Sequence, residues 1–477
     1  MTIGTLPDGV LLEIFDFYRK NLYDHNHDPL WKWDLLVHVC RRWRQIIFDS
    51  PHRLNLQIIC TSNTPVRKNL GIWPAFPIAI DYCYYAIRSI PPEGLANVIA
   101  ALGHAGRVGY VKLDVTGSQL AKLATLMQES LPMLSHLDIA STGEDTPILH
   151  GGFLGGSAPH LKDIYLHGTP FPTLPTLLLS ARNLISLNIS HIPPTGYISP
   201  EALVVGLAAL TRLEILIIGF QLATPHPAQL LPPPVTRIVL PVLTYFAFQG
   251  ACEYSENLVG QIDGPQLDRI HFSYNYLNQP DDVPVVQLFK FISRSVGPKL
   301  TLFRHARVSF SSGFVSFTTR RHTGPSLLDW HPTRTIKISF QGVDWRVSNL
   351  VQVLSQFSAI AILSNVVHLK LEAKRKFDRQ LEGMDEAGWL RLLHPFSAVQ
   401  TLHVSQRLAV YVAVVLEDIK AEMVTKVLPS LDSIYLDGQR IPSIESFVTA
   451  RRLSDRPVTV VDTKTEFDRR VQSDVSD

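Results

Sequence analysis

His25 and His27, flanked by Asp24 and Asp28, place two imidazoles and two carboxylates close enough to grip a divalent cation. The same residues make an ordinary hydrated loop, and that is the reading adopted, with no metal assigned. Gly151-Gly-Phe-Leu-Gly-Gly156 is rich enough in glycine to cradle a phosphate. It lacks the Lys-Ser/Thr of a phosphate loop and the spacing of a dinucleotide fingerprint, so it reads as a flexible loop between larger elements. Lys374-Arg-Lys376 and Thr319-Arg-Arg-His322 are basic clusters. Both read as charged loops, with a nuclear signal or a contact to an acidic partner as alternatives. Cys40, Cys60, Cys83 and Cys252 form no C-x-x-C pair, and four cysteines in 477 residues make no disulfide scaffold. They are expected reduced and packed, without zinc. Asn188-Ile-Ser190 matches a glycosylation triplet but falls on an expected strand and is discounted. No G-x-S-x-G elbow or H-E-x-x-H helix occurs. No catalytic residue, cofactor or metal is assigned, and the chain is expected not to be an enzyme.

Hydrophobic residues make up 46% of the chain and charged residues 18%, which supplies a long buried core and excludes disorder for most of its length. The net charge of +2 gives no strong basic field, so neither nucleic acid nor membrane is an expected partner. The apolar run Leu203–Phe220 is interrupted by Arg212 and Glu214, and Leu408–Leu416 is too short to span a bilayer. The N-terminus carries no basic region ahead of an apolar core. Cytoplasmic or nuclear residence, or both, is the expectation.

The architecture follows from an internal repeat. Pro132-Met-Leu-Ser-His-Leu-Asp-Ile139 reads L-x-x-L-x-I, and the frame recurs in His160–Leu166, Asn183–Ile189 and Arg212–Ile218. It continues with aromatic substitutions in Val242–Phe248 and Gln266–Phe272, and an earlier copy is Arg107–Leu113. The first apolar residue of each frame falls at 108, 134, 161, 184, 213, 243 and 267, a period of 23 to 30 residues. That period is close to the 20–29 residues of one leucine-rich repeat. Later copies, Val366–Leu371, Val399–Val404 and Leu431–Leu436, are spaced by 33 and 32 residues. Helical patterns such as Gln119–Met127 and Val285–Ile292 lie between frames. The predicted fold class is α/β, a leucine-rich-repeat solenoid with a parallel sheet inside and helices outside. Residues 273–334 break the rhythm, as an insertion or as decayed repeats, and Arg307–Phe317 is predicted to form a hairpin around Ser312-Gly313.

The first 55 residues are built differently, as a small all-α module. Leu6-Pro7-Asp8 should open a helix, with proline at its first position. Leu11, Ile14, Phe15 and Tyr18 then form an apolar stripe. A second helix carries Leu36, Val39, Cys40, Trp43 and Ile47 on one face. Residues 56–106 are read as a linker and N-terminal cap, 107–462 as the repeat domain and 463–477 as a polar tail.

Leu6-Pro-Asp-Gly-Val-Leu-Leu-Glu-Ile-Phe15 followed by Val39-Cys-Arg-Arg-Trp-Arg44 resembles the F-box motif, L-P-x-x-[IV]-L-x-x-I-F then V-C-[KR]-x-W. With Ile47–Leu56 and Pro65–Pro74, it resembles the F-box/leucine-rich-repeat proteins of fungal, basidiomycete-like type. The connection from Phe17 to Leu35 is longer than in the usual motif. The resemblance implies a substrate-recognition subunit of a cullin-RING ubiquitin ligase of the SCF type. It would dock on a Skp-type adaptor, and through it on cullin, while its repeats hold a protein target that the sequence does not name. Carried over residue by residue, Leu6, Pro7, Leu11, Ile14, Phe15, Val39, Cys40 and Trp43 would contact the adaptor or shape that surface. The alternative is a repeat scaffold outside any ligase, whose N-terminal helices only cap the first repeat.

Overall fold

The computed structural model describes residues 6–21, 33–51, 53–54, 56–61, 66–82, 89–143, 145–221, 236–275, 285–296, 303–311, 314–321, 335–341, 347–357, 363–374, 386–417, 426–437 and 442–462. His25, His27 and their flanking aspartates, Cys83, and the 463–477 tail lie outside the described residues. The chain forms two compact units, residues 1–198 and 199–477.

In the first unit, three helices, α1 (Asp8–Asn21), α2 (Trp33–Val37) and α3 (Arg41–Asp49), precede the repeats. Six strands follow: β1 (Ile58–Cys60), β2 (Ile78–Tyr82), β3 (Val108–Thr116), β4 (His136–Thr142), β5 (Asp163–His167) and β6 (Ser186–Ile192). Each pairs in parallel with the next, in chain order. Helices α4 (Val66–Ile72), α5 (Pro92–Leu102), α6 (Gly117–Leu126) and α7 (Leu174–Leu178) fill connections between them. The segment expected as linker and cap thus contains two strand–helix units that extend the sheet. Their apolar runs, Leu56–Cys60 and Pro77–Tyr82, lack the leucine frame.

The frame works as its spacing requires. Leu134, Leu137 and Ile139 are buried, as are Leu161, Ile164 and Leu166 in the next unit and Leu184, Leu187 and Ile189 in the one after. The first leucine packs beneath the entry to the strand, and the other two point from alternate strand positions to the same face. The entry turns also bond from repeat to repeat: Lys162 N–H donates to the Ser135 carbonyl at 2.8 Å and Ile185 N–H to the Lys162 carbonyl at 2.7 Å. Helix α6 closes the buried face over β3 and β4. No single repeat buries this face alone, so stability comes from stacking.

The second unit opens with α8 (Pro200–Leu207) and β7 (Ile215–Phe220), then a two-residue strand β8 (Ile238–Val239) and β9 (Tyr245–Gly250). After α9 (Cys252–Val259) come β10 (Ile262–Asp263), β11 (Arg269–Asn275) and α10 (Val286–Val296). Strands β12 (Phe303–Ser311), β13 (Phe314–Arg321) and β14 (Thr335–Gln341) precede α11 (Val347–Phe357), β15 (His368–Ala373) and α12 (Glu386–Leu393). The unit ends with β16 (Thr401–Ser405), α13 (Gln406–Glu417), β17 (Ser433–Asp437), α14 (Pro442–Leu453) and β18 (Thr459–Asp462). Its main sheet has the order β7-β9-β11-β14-β13-β12-β15-β16-β17-β18, while β8 and β10 pair separately.

Residues 273–334 contain the predicted hairpin. Strands β12 and β13 pair antiparallel, and the pair is built into the middle of the sheet. Strand β14 returns to lie parallel beside β11, and β12 lies parallel to β15. The Thr319–His322 cluster, expected as a charged loop, is in its described part strand: Thr319 is fully buried and Arg320 exposed. The glycine-rich stretch is a tight turn rather than a flexible loop, because buried Phe153 and Leu154 anchor it and Leu154 N–H donates to the Met127 carbonyl at 2.7 Å. Gly155, at φ +66°, lies so close to Ser130 that a Cβ would stand 3.1 Å from its backbone.

Candidate interaction surfaces

Helix α1 begins one residue later than expected. Pro7 is the residue before it, and its carbonyl accepts from the N–H groups of Val10 and Leu11 at 3.0 and 3.1 Å, leaving Asp8 in the first turn. Arg42, at the start of α3, reaches back: its guanidinium donates to an Asp8 carboxylate oxygen at 2.6 Å and to the Leu6 carbonyl. Cys40 is exposed, contrary to the expectation that every cysteine is packed. Its Sγ accepts from the Trp43 N–H at 3.4 Å and caps α3, which holds it at the surface. Cys60 and Cys252 are buried, and burial pushes the Cys60 thiol up to about 12. Arg44 Nε donates to the Val37 carbonyl at 3.0 Å, tying α2 to α3, and Arg53 pairs with Glu13.

These ties divide the apolar residues of the module into two sets. Leu11, Leu12 and Phe15 turn inward with Val37, Ile46 and Ile47, and the Phe15 ring meets Trp43 at 4.8 Å. Val10, Ile14, Phe17, Tyr18, Leu35 and Val39 are between 39% and 69% exposed. Val10, Ile14 and Phe17 recur four and three apart and so share one face of α1. Of the eight residues carried over from the resemblance, Leu11 and Phe15 build the module's core, while Pro7, Ile14, Val39 and Cys40 lie on its surface. Leu6 and Trp43 are half-buried. Val10, Phe17 and Leu35 are not among those eight, although the three-and-four spacing from Val10 was there to be counted. Phe48 of α3 packs against Trp73 and Phe76 at 5.8 and 5.6 Å and joins the module to the first repeats.

The sheet in each unit offers a second kind of surface, the strand face turned away from the helices. In the first unit its side chains stand in rows across neighbouring strands. Tyr110 pairs with His136 and His136 with Asp163. The Tyr110 and His136 rings stack at 4.4 Å, and His136 Nδ1 lies 3.5 Å from the Asp163 carboxylate. In the next row, burial raises the Asp138 carboxyl, against the opposing pull of Lys112 and His136 and with the repulsion of Asp81 and Asp114. This face is polar, aromatic and mostly acidic.

The corresponding face of the second unit is basic. Arg269, Arg320, Lys337, Arg307 and Lys370 stand on five neighbouring strands, with Lys374 at the end of β15. Lys337 is held below the usual ammonium range by burial and by Lys374 and Arg320, and burial with Lys337 pushes His271 down to about 4. Among the described residues no group of three His, Cys, Asp or Glu side chains could hold a metal ion, and no helix is long and apolar enough to cross a membrane.

No protein-family model matches the chain, and no curated protein matches it. Among solved structures it is similar to the leucine-rich repeat-containing protein LegL7 from Legionella pneumophila, at 13% identity, over 85% of this chain and 99% of that one. The TM-score is 0.28, too low for detail of either fold to be carried across. The leucine-rich character of the array therefore rests on its own geometry: one frame, buried at the same three positions, on successive parallel strands.

Proposed function

We propose that this chain is the non-catalytic substrate receptor of an SCF-type ubiquitin ligase, docking on a Skp-type adaptor through its N-terminal helices and holding a target protein on its repeats. The observation that carries this reading is the division of the helical module. A cap that served only its own sheet would turn its apolar residues inward. Here six large apolar side chains within residues 10–39 stay at the surface, after Leu11, Phe15 and Ile47 have made a core. Apolar surface of that kind, outside any core, marks a protein docking site. The F-box resemblance supplies the identity of the docked protein. Phe48 on Trp73 and Phe76 favours the scaffold reading instead, since it shows the module also steadying the first repeats.

Affinity purification of the full chain, with proteasome and neddylation blocked, separates the two. The receptor reading expects adaptor and cullin in the recovered complex beside the target. Recovery of a repeat-bound partner with no adaptor would leave the scaffold.

A further inference from the structure

We infer that the open face of β11, β14, β13, β12 and β15 holds an extended, carboxylate-rich segment of a partner polypeptide. The inference deepens the receptor reading and rests on it for the claim that the repeats hold a protein. Five consecutive strands each contribute a cation to this face, and strands stand ~4.8 Å apart, so the cations cover about 19 Å. An extended peptide advances ~6.7 Å per two residues, so three or four acidic side chains at alternate positions would match that length.

Beside the cations runs a floor of small side chains. Ser273, Ser339, Ser316 and Ser309 stand opposite one another on four adjacent strands and are buried, so this row puts no large side chain beside the cations. The hairpin makes this row, because it inserts β12 and β13 between β14 and β15. Among the described residues of these five strands one acid stands on this face, Glu372, which pairs with Arg307 at 2.8 Å and Lys370 at 3.7 Å and accepts from Ser309 Oγ at 2.7 Å. Among the described residues the cations on this face therefore outnumber the carboxylates, and Lys337, lowered first by burial, is lowered further by Lys374 and Arg320 beside it.

A polypeptide fits better than a nucleic acid. A single strand of nucleic acid needs open rings on which to stack its bases. Of the rings beside this cluster, Tyr245 and Phe314 already lie under Arg269 and Lys374 at 4.7 and 5.5 Å, and His305 and His368 stack on each other at 4.5 Å. Glu372 would also oppose an unbroken run of phosphates.

The test uses the purified full chain and a labelled eight-residue peptide alternating Glu and Ser, its Gln counterpart, and an oligothymidylate of eight nucleotides. The Glu peptide should bind about tenfold or more tightly than the Gln peptide, and less tightly as salt rises. Arg269→Glu with Arg320→Glu, both at exposed positions, should weaken it by about tenfold or more with an unchanged thermal melt. Glu372→Gln should tighten it. Equal binding of the two peptides, tighter binding of the oligonucleotide, or indifference to the double reversal would overturn the inference. Adaptor capture, measured on the same samples, should not respond to the reversal. Its absence in the unmutated chain would strike the ligase reading and leave this one standing.

Discussion

His271 lies inside the basic face of the second unit, where burial and the ammonium of Lys337 push its imidazole from 6.5 down to about 4. Between those values the unfolded chain binds the extra proton and the folded chain does not. Stability from this group is therefore complete above 6.5, rises with pH through the window, and is lost as pH falls toward 4. Thermal melts at about pH 7 and about pH 5 should show a larger gap for the native chain than for His271→Gln. Equal gaps would mean the imidazole is no more buried than in the unfolded state. Such properties of single residues were the least legible part of the sequence. Ile14 and Phe15 are neighbours with similar hydrophobicity, yet one faces outward and the other meets Trp43. Which arc of α1 is buried depends on where Arg42 and Arg44 hold α2 and α3, and that is a tertiary fact.

Elements were read more securely, because burial repeats. Each leucine frame places its apolar residues at strand spacing, and a one-residue slip would turn them all to the open face. The hairpin around 312–313 was visible for the same reason, but its place in the sheet was not, since order among strands far apart in sequence leaves no local trace. One trace was overlooked: Val308-Ser-Phe310, Val315-Ser-Phe317 and Ile338-Ser-Phe340 repeat an apolar–Ser–Phe triplet that becomes the serine floor. Near the end of the second unit, Arg451 of α14 is fully buried and donates to the carbonyls of Leu428 and Leu431 at 3.2 and 3.1 Å. It pins a turn in which Leu428 adopts φ +49°. Arg451→Met keeps the apolar stem and strips the donors, and should cost ~1–3 kcal/mol for the carbonyls left unanswered. Urea unfolding reads this directly, and a loss within the error of the measurement would show that the turn holds without the guanidinium.

At the scale of the whole molecule, composition hides what folding separates. A net charge of +2 argued against a strong basic field at the level of the whole chain, yet the open strand face of one unit gathers Asp81, Asp114, Asp138 and Asp163, and that of the other gathers six cations. The chain-level sum excludes a field around the protein and says nothing of its faces. The division of labour proposed here gives the repeats to the target and the N-terminal module to the adaptor. Two double variants separate docking from folding within that module. Ile14→Asp with Phe17→Asp changes only exposed residues and should move stability by no more than ~0.5 kcal/mol each. Phe15→Ala with Leu11→Ala empties the core, at ~2–5 kcal/mol per side chain.

The most direct measurement is a titration of the purified chain with its Skp-type adaptor, each variant melted in parallel. The account predicts that the native chain binds and that Ile14→Asp/Phe17→Asp loses binding by a hundredfold or more, as ~3 kcal/mol of forfeited apolar contact requires, with its melt unchanged. Phe15→Ala/Leu11→Ala should lose binding and melt together. No binding by the native chain, or full binding by Ile14→Asp/Phe17→Asp, would contradict the claim that this face is the docking surface.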